Sequence, residues 1–338
     1  MAERKARGTL QKNIIPGTLL ICVVLFTSIS PSAAETKDCQ LKQYAAIEIS
    51  GARNGYLLVP VTIQETHAFM ILNTSSAFST ITENAASRLA LQINRVPFGA
   101  EVRAGKKPIE KVATAKGFSL GNVNFKSADF LIISNETLEI NPVAEQVVGT
   151  LGMDMFAHVD VELDVANRKM NLFSQDHCPG HVVYWSKTYD SVPIRLGALG
   201  EFYFPMELDG KKLETTLATG DATTTLFTDA TRKLYNFDSH SPDVETETDA
   251  AGRTTAHYRA MKLSAEGIDI INARVQLIDL PENTSCSLSR HSDAAAYDGC
   301  LGRHPLQLGR SVLTKLHIYI ATKEKVLYFT PSNVSDQH

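Results

Sequence analysis

The sequence predicts an all-β protein of two related halves, each folded as a small β-barrel, with the two barrels facing each other. Three observations support this prediction: an internal repeat, short β-branched runs in both halves, and segments in which polar and apolar residues alternate with period two. The 338 residues suit one large or two ordinary domains. With 43% hydrophobic and 21% charged residues, the composition excludes a disordered chain, a collagen-like repeat and a polytopic membrane protein.

Residues 1–34 are predicted to be a signal peptide. Four basic side chains lie within the first dozen residues, residues 14–29 are uncharged and mostly apolar, and small residues around Ala34 form a cleavage site. An uncleaved membrane anchor is the alternative, but a stretch of this length with Pro16 and Gly17 is short for a hydrocarbon core of about 30 Å. We therefore expect bacterial export to a periplasmic or secreted location, with no stable membrane anchor after cleavage.

Export makes disulfide bonds the expected state of the four cysteines in the mature chain. Four cysteines can be paired in three ways, and we favour the scheme that contains the following two bonds. Cys286 with Cys300 closes a short loop, which stabilises the fold by about 3 kcal/mol on a chain-entropy basis. Cys39 with Cys178 ties the start of one domain to its end.

Other chemistries find little support. The net charge of -4, with no Lys/Arg cluster beyond the first dozen residues, argues against a nucleic-acid partner. A zinc site at His177, Cys178 and His181 lacks a fourth ligand and needs a free thiolate, so we expect no metal. The sequence has no Gly-x-Ser-x-Gly, His-Glu-x-x-His, phosphate-loop or dinucleotide motif, and we expect no cofactor.

The internal repeat defines the domain plan. Residues 59–91 align with residues 204–236 without a gap, at an offset of 145. A second match, at an offset of 157, sets Leu151-Gly152 on Leu308-Gly309. The difference predicts an insertion in the second copy, in the loop that carries the last two cysteines. We place the amino-terminal lobe at residues 35–180 and the carboxy-terminal lobe at residues 181–338.

Each half is predicted to be mostly strand. Residues 57–72 form two short apolar runs joined by a polar turn, as in a hairpin. Short helices are predicted at residues 85–91 and 229–235. Residues 159–165 and 316–320 alternate with period two, which places one face of each strand in a core and the other toward water.

These motifs resemble those of retropepsin-like aspartic peptidases, in particular the exported bacterial members with two such lobes in one chain. The family pattern is a strand end, Asp-Thr/Ser-Gly-Ala, a short helix, and later a hydrophobic-Leu-Gly segment. It falls on residues 72–80 and 149–156 in the first half, and on residues 217–225 and 308–313 in the second. The resemblance implies a bilobal aspartic-protease fold, with two retropepsin-like β-barrel lobes facing a central cleft.

The catalytic positions depart from the family. Aspartic proteolysis needs two carboxylates about 3 Å apart that share one proton, and the resemblance implies that each lobe supplies one. Asn73 and Ala218 occupy these two positions, so both catalytic Asp are replaced, and Ser75 stands where the family has Gly. Asp221 and Asp154 are candidate replacement acids, but we expect Asp221 to be a turn or helix-cap acid and Asp154 a polar residue at a strand-helix junction.

The residues that support the motif are retained. Thr74 and Thr219 are present, and the resemblance implies that their hydroxyls bond across the lobe interface; Gly220 keeps the family glycine. By position, residues 97–112 and 245–258 correspond to the hairpins that cover the cleft in the family, or are ordinary surface loops.

Three hypotheses follow. The first is a non-catalytic pseudopeptidase that binds a peptide or protein ligand in the interlobe cleft. We expect it to be a monomer. The alternatives are an active aspartic endopeptidase that uses other carboxylates, and a structural or vestigial copy.

Overall fold

The computed structural model describes residues 39–52, 55–96, 102–104, 107–138, 146–197, 200–250, 252–279 and 304–332. The predicted signal peptide, Cys286 and Cys300 lie outside these residues, and what was inferred for them stays a prediction. Within the described residues, no helix has the length and apolar character to cross a membrane.

Short strands dominate both halves. The strands up to the middle of the chain are β1 (Gln43–Glu48), β2 (Ser50–Gly51), β3 (Leu57–Ile63), β4 (Thr66–Leu72), β5 (Thr80–Thr82), β6 (Gln92–Arg95), β7 (Val102–Ala104), β8 (Lys107–Ile109), β9 (Lys111–Leu120), β10 (Val123–Ile133), β11 (Val147–Leu151), β12 (Asp160–Asp164) and β13 (Lys169–Phe173). The later strands are β14 (Asp190–Pro193), β15 (Arg195–Leu196), β16 (Phe202–Leu208), β17 (Lys211–Leu217), β18 (Thr224–Phe227), β19 (Glu245–Thr248), β20 (Thr254–Ala265), β21 (Ile268–Ile278), β22 (Leu306–Leu308), β23 (Leu316–Ala321) and β24 (Val326–Pro331).

The helices are few and short. They are α1 (Glu83–Arg88), α2 (Thr228–Leu234) and α3 (Arg310–Leu313), with 3-10 turns at Asn135–Thr137 and Met153–Phe156. Both predicted helices exist, but α1 begins earlier and ends sooner than residues 85–91. The reason is its cap: the Thr82 side chain accepts a hydrogen bond from the backbone N–H of Ala85, so the helix starts at Glu83.

Each half closes into a six-stranded barrel. The strand order in the first barrel is β3-β4-β11-β5-β10-β9, and β9 pairs back with β3. The second barrel has the order β16-β17-β22-β18-β21-β20, and β20 pairs back with β16. Apolar side chains fill both interiors, including Phe118 and Phe130 in the first and Phe202 and Leu208 in the second. The predicted all-β fold with two barrel lobes is confirmed.

The two barrels repeat the same register. Strand β11 runs parallel to β4 with Leu151 opposite Leu72, and β22 runs parallel to β17 with Leu308 opposite Leu217. The offset of 145 holds from β3 and β16 through to β10 and β21, and changes only before β22. The extra residues of the second copy therefore lie between β21 and β22, where the insertion was predicted.

A third, six-stranded sheet joins the two halves. Its order is β1-β13-β12-β23-β24-β14, and its centre is the antiparallel pair of β12 and β23, one strand from each half. Leu163 lies opposite Ile318 in this pair, and both side chains are fully buried. The central pair thus holds the lobes together through main-chain hydrogen bonds and shared core.

The prediction that one face of β12 meets water is wrong. Asp160, Glu162 and Asp164 alternate along this strand as expected, yet all three are buried. The segment between β13 and β14 covers their face: His177 Nε2 donates to Asp160 at 2.6 Å, and the Tyr184 hydroxyl donates to Glu162 at 2.6 Å. Burial raises the pKa of Asp160 above 3.8, while the bond from His177 opposes that shift. These hydrogen-bond partners offset the free-energy cost of burying the carboxylates.

Two further contacts hold the same covering segment in place. Cys178 forms a disulfide bond with Cys39, with their Cα atoms 5.0 Å apart, and this predicted pairing is confirmed. Cys178 is therefore not the thiolate that a zinc site at His177 and His181 requires. Further along, the Trp185 ring stacks on His317 of β23, with centroids 3.9 Å apart.

Candidate functional site

The two motif loops meet through reciprocal hydrogen bonds between Thr74 and Thr219. The Thr74 hydroxyl donates to the carbonyl of Leu217, and the Thr219 hydroxyl donates to the carbonyl of Leu72, both at 2.8 Å. The backbone N–H of each threonine also donates to the hydroxyl oxygen of the other, at 3.0 and 3.3 Å. Both side chains are almost fully buried, so water cannot replace these bonds. The loops that carry the two motifs are locked together.

Asn73 lies beside the motif glycine of the other lobe. Its side-chain oxygen accepts a hydrogen bond from the Ser75 hydroxyl at 2.8 Å. A Cβ built on Gly220 would lie 3.1 Å from the same oxygen, which is tighter than ordinary contact. Because Gly220 has no side chain, the Asn73 amide fits beside it. The Ser75 side chain, which the family motif lacks, is accommodated by its hydrogen bond to Asn73.

The partner position of Asn73 carries no polar group. Ala218 is fully buried, and its backbone N–H donates to the carbonyl of Leu308 at 2.9 Å. A methyl group and a neutral amide cannot share and transfer a proton in the way that paired carboxylates do. The two motif positions therefore provide no general acid or base.

Asp154 is bound within its own lobe. One of its carboxylate oxygens accepts from the Ser79 hydroxyl at 2.6 Å, and both accept from the backbone N–H of Ser79 at 3.0 Å. Burial raises the pKa of Asp154 above 3.8, and the bonds from Ser79 oppose that shift. In the second lobe, the Ser311 hydroxyl likewise accepts from the backbone N–H of Thr224 at 3.0 Å. The expected structural role of Asp154 at a strand-helix junction agrees with these contacts.

Asp221 lies at the end of the turn that begins at Ala218, the position expected of a turn acid. Its backbone is fixed, because its N–H donates to Ala218 and its carbonyl accepts from the N–H of Arg310. Its carboxyl group, however, makes no hydrogen bond among the residues that the structure describes, and it lines a cavity of about 610 Å³. Burial raises the pKa of Asp221 above 3.8, and the positive charge of Arg310 opposes that shift.

Arg310 and Tyr56 are site residues that the sequence analysis missed. Arg310 is 9% exposed, and its Nη1 donates to the carbonyl of Thr219 at 2.8 Å. Its guanidinium group lies 5.5 Å from the centroid of the Tyr56 ring, which comes from the other lobe. A signal was present: the offset of 157 sets Arg310 on Met153, so a cation replaces an apolar residue at an equivalent position.

The two closed barrels and the threonine pair define a two-lobed fold of the aspartic-protease type. No family model and no curated protein matches the chain. Many solved structures are similar to the chain, and three of them are covered over most of their length. They are conglutin gamma, a basic 7S globulin from lupine seeds (10% identity, 87% of this chain and 96% of that one, TM-score 0.48), basic 7S globulin from soybean (9%, 87%, 96%, 0.48), and edgp (10%, 88%, 97%, 0.49). This likeness concerns the fold alone.

Proposed function

We propose that this protein is an exported, non-catalytic relative of retropepsin-like aspartic peptidases that binds peptides or a protein partner in the cleft between its lobes. The observation that carries the proposal is a contrast within one site. The bonds between Thr74 and Thr219 that hold the motif loops together are complete, whereas Asn73 and Ala218 stand at the catalytic positions.

Loss of both acids removes the chemistry of the family mechanism. In catalytic groups that act as a unit, removing one member costs about 10⁴ to 10⁶ in rate, and a second loss adds little. Asp154 is held by Ser79 and does not replace them. Peptide binding does not need the dyad, because an extended peptide is held mainly by main-chain hydrogen bonds and by pockets for alternate side chains.

The strand arrangement offers elements that suit such a ligand. The short pair β7–β8 and the longer β19–β20 fall where hairpins over the cleft were predicted. All four side chains of β19 are exposed, and the strand ends its sheet. The disulfide bond between Cys39 and Cys178 supports the proposed periplasmic or secreted location, since such bonds persist in oxidising compartments. With both lobes in one chain, we propose that the protein acts as a monomer.

The test compares the natural mature chain with the double variant Asn73→Asp, Ala218→Asp. Casein, an unfolded protein, is the substrate between pH 3 and 7, and fluorescence anisotropy of labelled casein peptides measures binding. We expect the natural chain to bind without cleavage and the double variant to cleave slowly. Adding Ser75→Gly restores the family motif in the first lobe, and Asn73→Ala serves as a control that creates no acid.

Two outcomes contradict the proposal. Cleavage by the natural chain, and by its Asn73→Ala variant, would show that other carboxylates act as the catalytic pair. Absence of both binding and cleavage in the natural chain would favour a structural or vestigial copy.

A further inference from the structure

We propose that the cavity beside Asp221 is a side-chain pocket that selects a basic residue, lysine or arginine, of a bound peptide. This inference rests on the proposed peptide-binding function and names the ligand chemistry of the same site. It is carried by three features: the size of the cavity, a carboxyl group in its wall that accepts no hydrogen bond from the described residues, and the contrast with the same place in the first lobe.

The cavity is large enough for a long side chain. Its volume is about 610 Å³, and both lobes contribute to it, since Tyr56 of the first lobe faces the motif loop of the second. Part of the wall is apolar, with Phe227 and Ile278 available to contact a hydrocarbon stem. Lysine and arginine characteristically bury such stems along apolar surface while their charged heads find a polar partner.

The unpaired acceptor in this wall is the Asp221 carboxyl group. A partly buried carboxylate without hydrogen-bond donors is unfavourable, and the raised pKa of Asp221 reflects that cost. Nothing in the described part of the chain donates to it. A ligand ammonium or guanidinium group supplies several donors and an opposite charge at once.

Among the described residues of the lining, the one cation, Arg310, is engaged elsewhere. Arg310 donates one hydrogen bond to the Thr219 carbonyl and lies against the Tyr56 ring, so it stabilises the interlobe contact. Its charge reaches Asp221 as an attraction, but no ion pair between the two is formed within 4 Å. Arg310 also repels a second cation, which opposes the binding of a basic side chain.

The neighbouring polar groups also suit a multi-donor head. The Thr223 hydroxyl donates to the side-chain oxygen of Gln276 at 2.7 Å, and the Thr225 hydroxyl donates to that of Gln307 at 3.5 Å. Because each hydroxyl hydrogen is used, its oxygen retains lone pairs that accept from a ligand.

The first lobe does not present this chemistry. Ser76 occupies the position equivalent to Asp221, and its hydroxyl donates to the carbonyl of Phe78 at 2.7 Å, so it is already satisfied. Phe78 and Leu131 stand where the second lobe has Thr223 and Gln276. The charged and polar groups of the cavity are therefore particular to the second lobe, as expected if that lobe binds a different kind of side chain.

Three blocked pentapeptides test the pocket: threonine-valine-arginine-valine-threonine and its analogues with central norleucine or glutamate. Calorimetric titration of the natural chain needs no variant. We expect the arginine peptide to bind about tenfold more tightly than the norleucine peptide, the range of one hydrogen-bonded charge, and the glutamate peptide to bind most weakly.

Two variants locate the effect. Asp221→Asn keeps the shape of the side chain and should abolish the preference for arginine, while Asp229→Asn, at an exposed position of α2, should leave it unchanged. Equal binding of the arginine and norleucine peptides, tightest binding of the glutamate peptide, or a preference that survives Asp221→Asn would overturn the pocket but leave the peptide-binding proposal standing. Failure of all three peptides to bind, together with failure of the casein peptides, would overturn both.

Discussion

Thr74 and Thr219 each donate a hydroxyl hydrogen bond to the strand that leads into the other, at 2.8 Å in both directions. The contact crosses between lobes whose equivalent residues are 145 positions apart, and it is almost fully buried. These bonds use the two threonines and the carbonyls of Leu72 and Leu217, so they do not involve the side chains of residues 73 and 218.

Replacing either threonine should destabilise the whole fold. Thr74→Val keeps the volume but removes the bond to Leu217 and the acceptor for the Thr219 N–H, so we expect a loss of about 1–3 kcal/mol in the free energy of unfolding. Urea titration measures it, with Thr246→Val at an exposed site of β19 as the control. The double variant with Thr219→Val should cost less than the sum of the single changes. Additive losses would show that the two hydroxyls act independently.

Ser311, the equivalent of Asp154 in the second lobe, indicates which substitution of Asp154 should destabilise the fold least. Asp154→Ala leaves the N–H and hydroxyl of Ser79 without partners and should cost about 2–3 kcal/mol. Asp154→Ser introduces the residue type of Ser311, which accepts from Thr224 at the equivalent place, and should cost less. Thermal unfolding of both variants at pH 7 provides the comparison. If the two melt at the same temperature, the carboxylate bonds to Ser79 contribute nothing to stability.

Asp221 should make stability depend on pH in a defined direction. Burial raises its pKa above 3.8, so the folded state binds the proton more tightly than the unfolded state. Its contribution is most favourable below about pH 3.8 and is lost as the pH rises through the folded value. Asp221→Asn should therefore be more stable than the natural chain at pH 7, and the difference should shrink toward pH 3. A difference that stays constant over this range would contradict burial as the cause of the shift.

The disulfide bond between Cys39 and Cys178 should be a large contributor to stability. It links residues 139 positions apart, and the chain-entropy estimate for such a loop is about 4–5 kcal/mol. The double variant Cys39→Ser, Cys178→Ser should lower the free energy of unfolding by up to this amount. Trp185, the sole tryptophan, stacks on His317 and reports the unfolding of this segment by fluorescence. An unchanged urea midpoint would mean that sheet pairing alone holds the segment.

Much of the architecture was accessible from the sequence because the chain contains two copies of one pattern. The repeat located the turns that carry Thr74 and Thr219, and the change in offset located the insertion before β22. Period-two alternation identified β12 and β23 as strands. These signals are local: they depend on spacing along the chain and on which side of a strand each residue occupies.

The same alternation failed to predict burial. The acidic face of β12 is covered by residues far along the chain, including Tyr184, so its polar character did not mean exposure. The surroundings of Asp221 and Arg310 were also inaccessible, because the cavity that both line combines residues from two lobes.

The sequence by itself determined that two related β lobes exist, which residues stand at the two motif positions, and that neither is an acid. Only the tertiary structure decided the surroundings of these acids: Asp154 accepts hydrogen bonds from Ser79, whereas Asp221 lines a cavity and accepts none from the described residues. The reason is that the state of a carboxyl group is set by burial and by donors within hydrogen-bond distance, and those neighbours come from chain segments brought together only by folding.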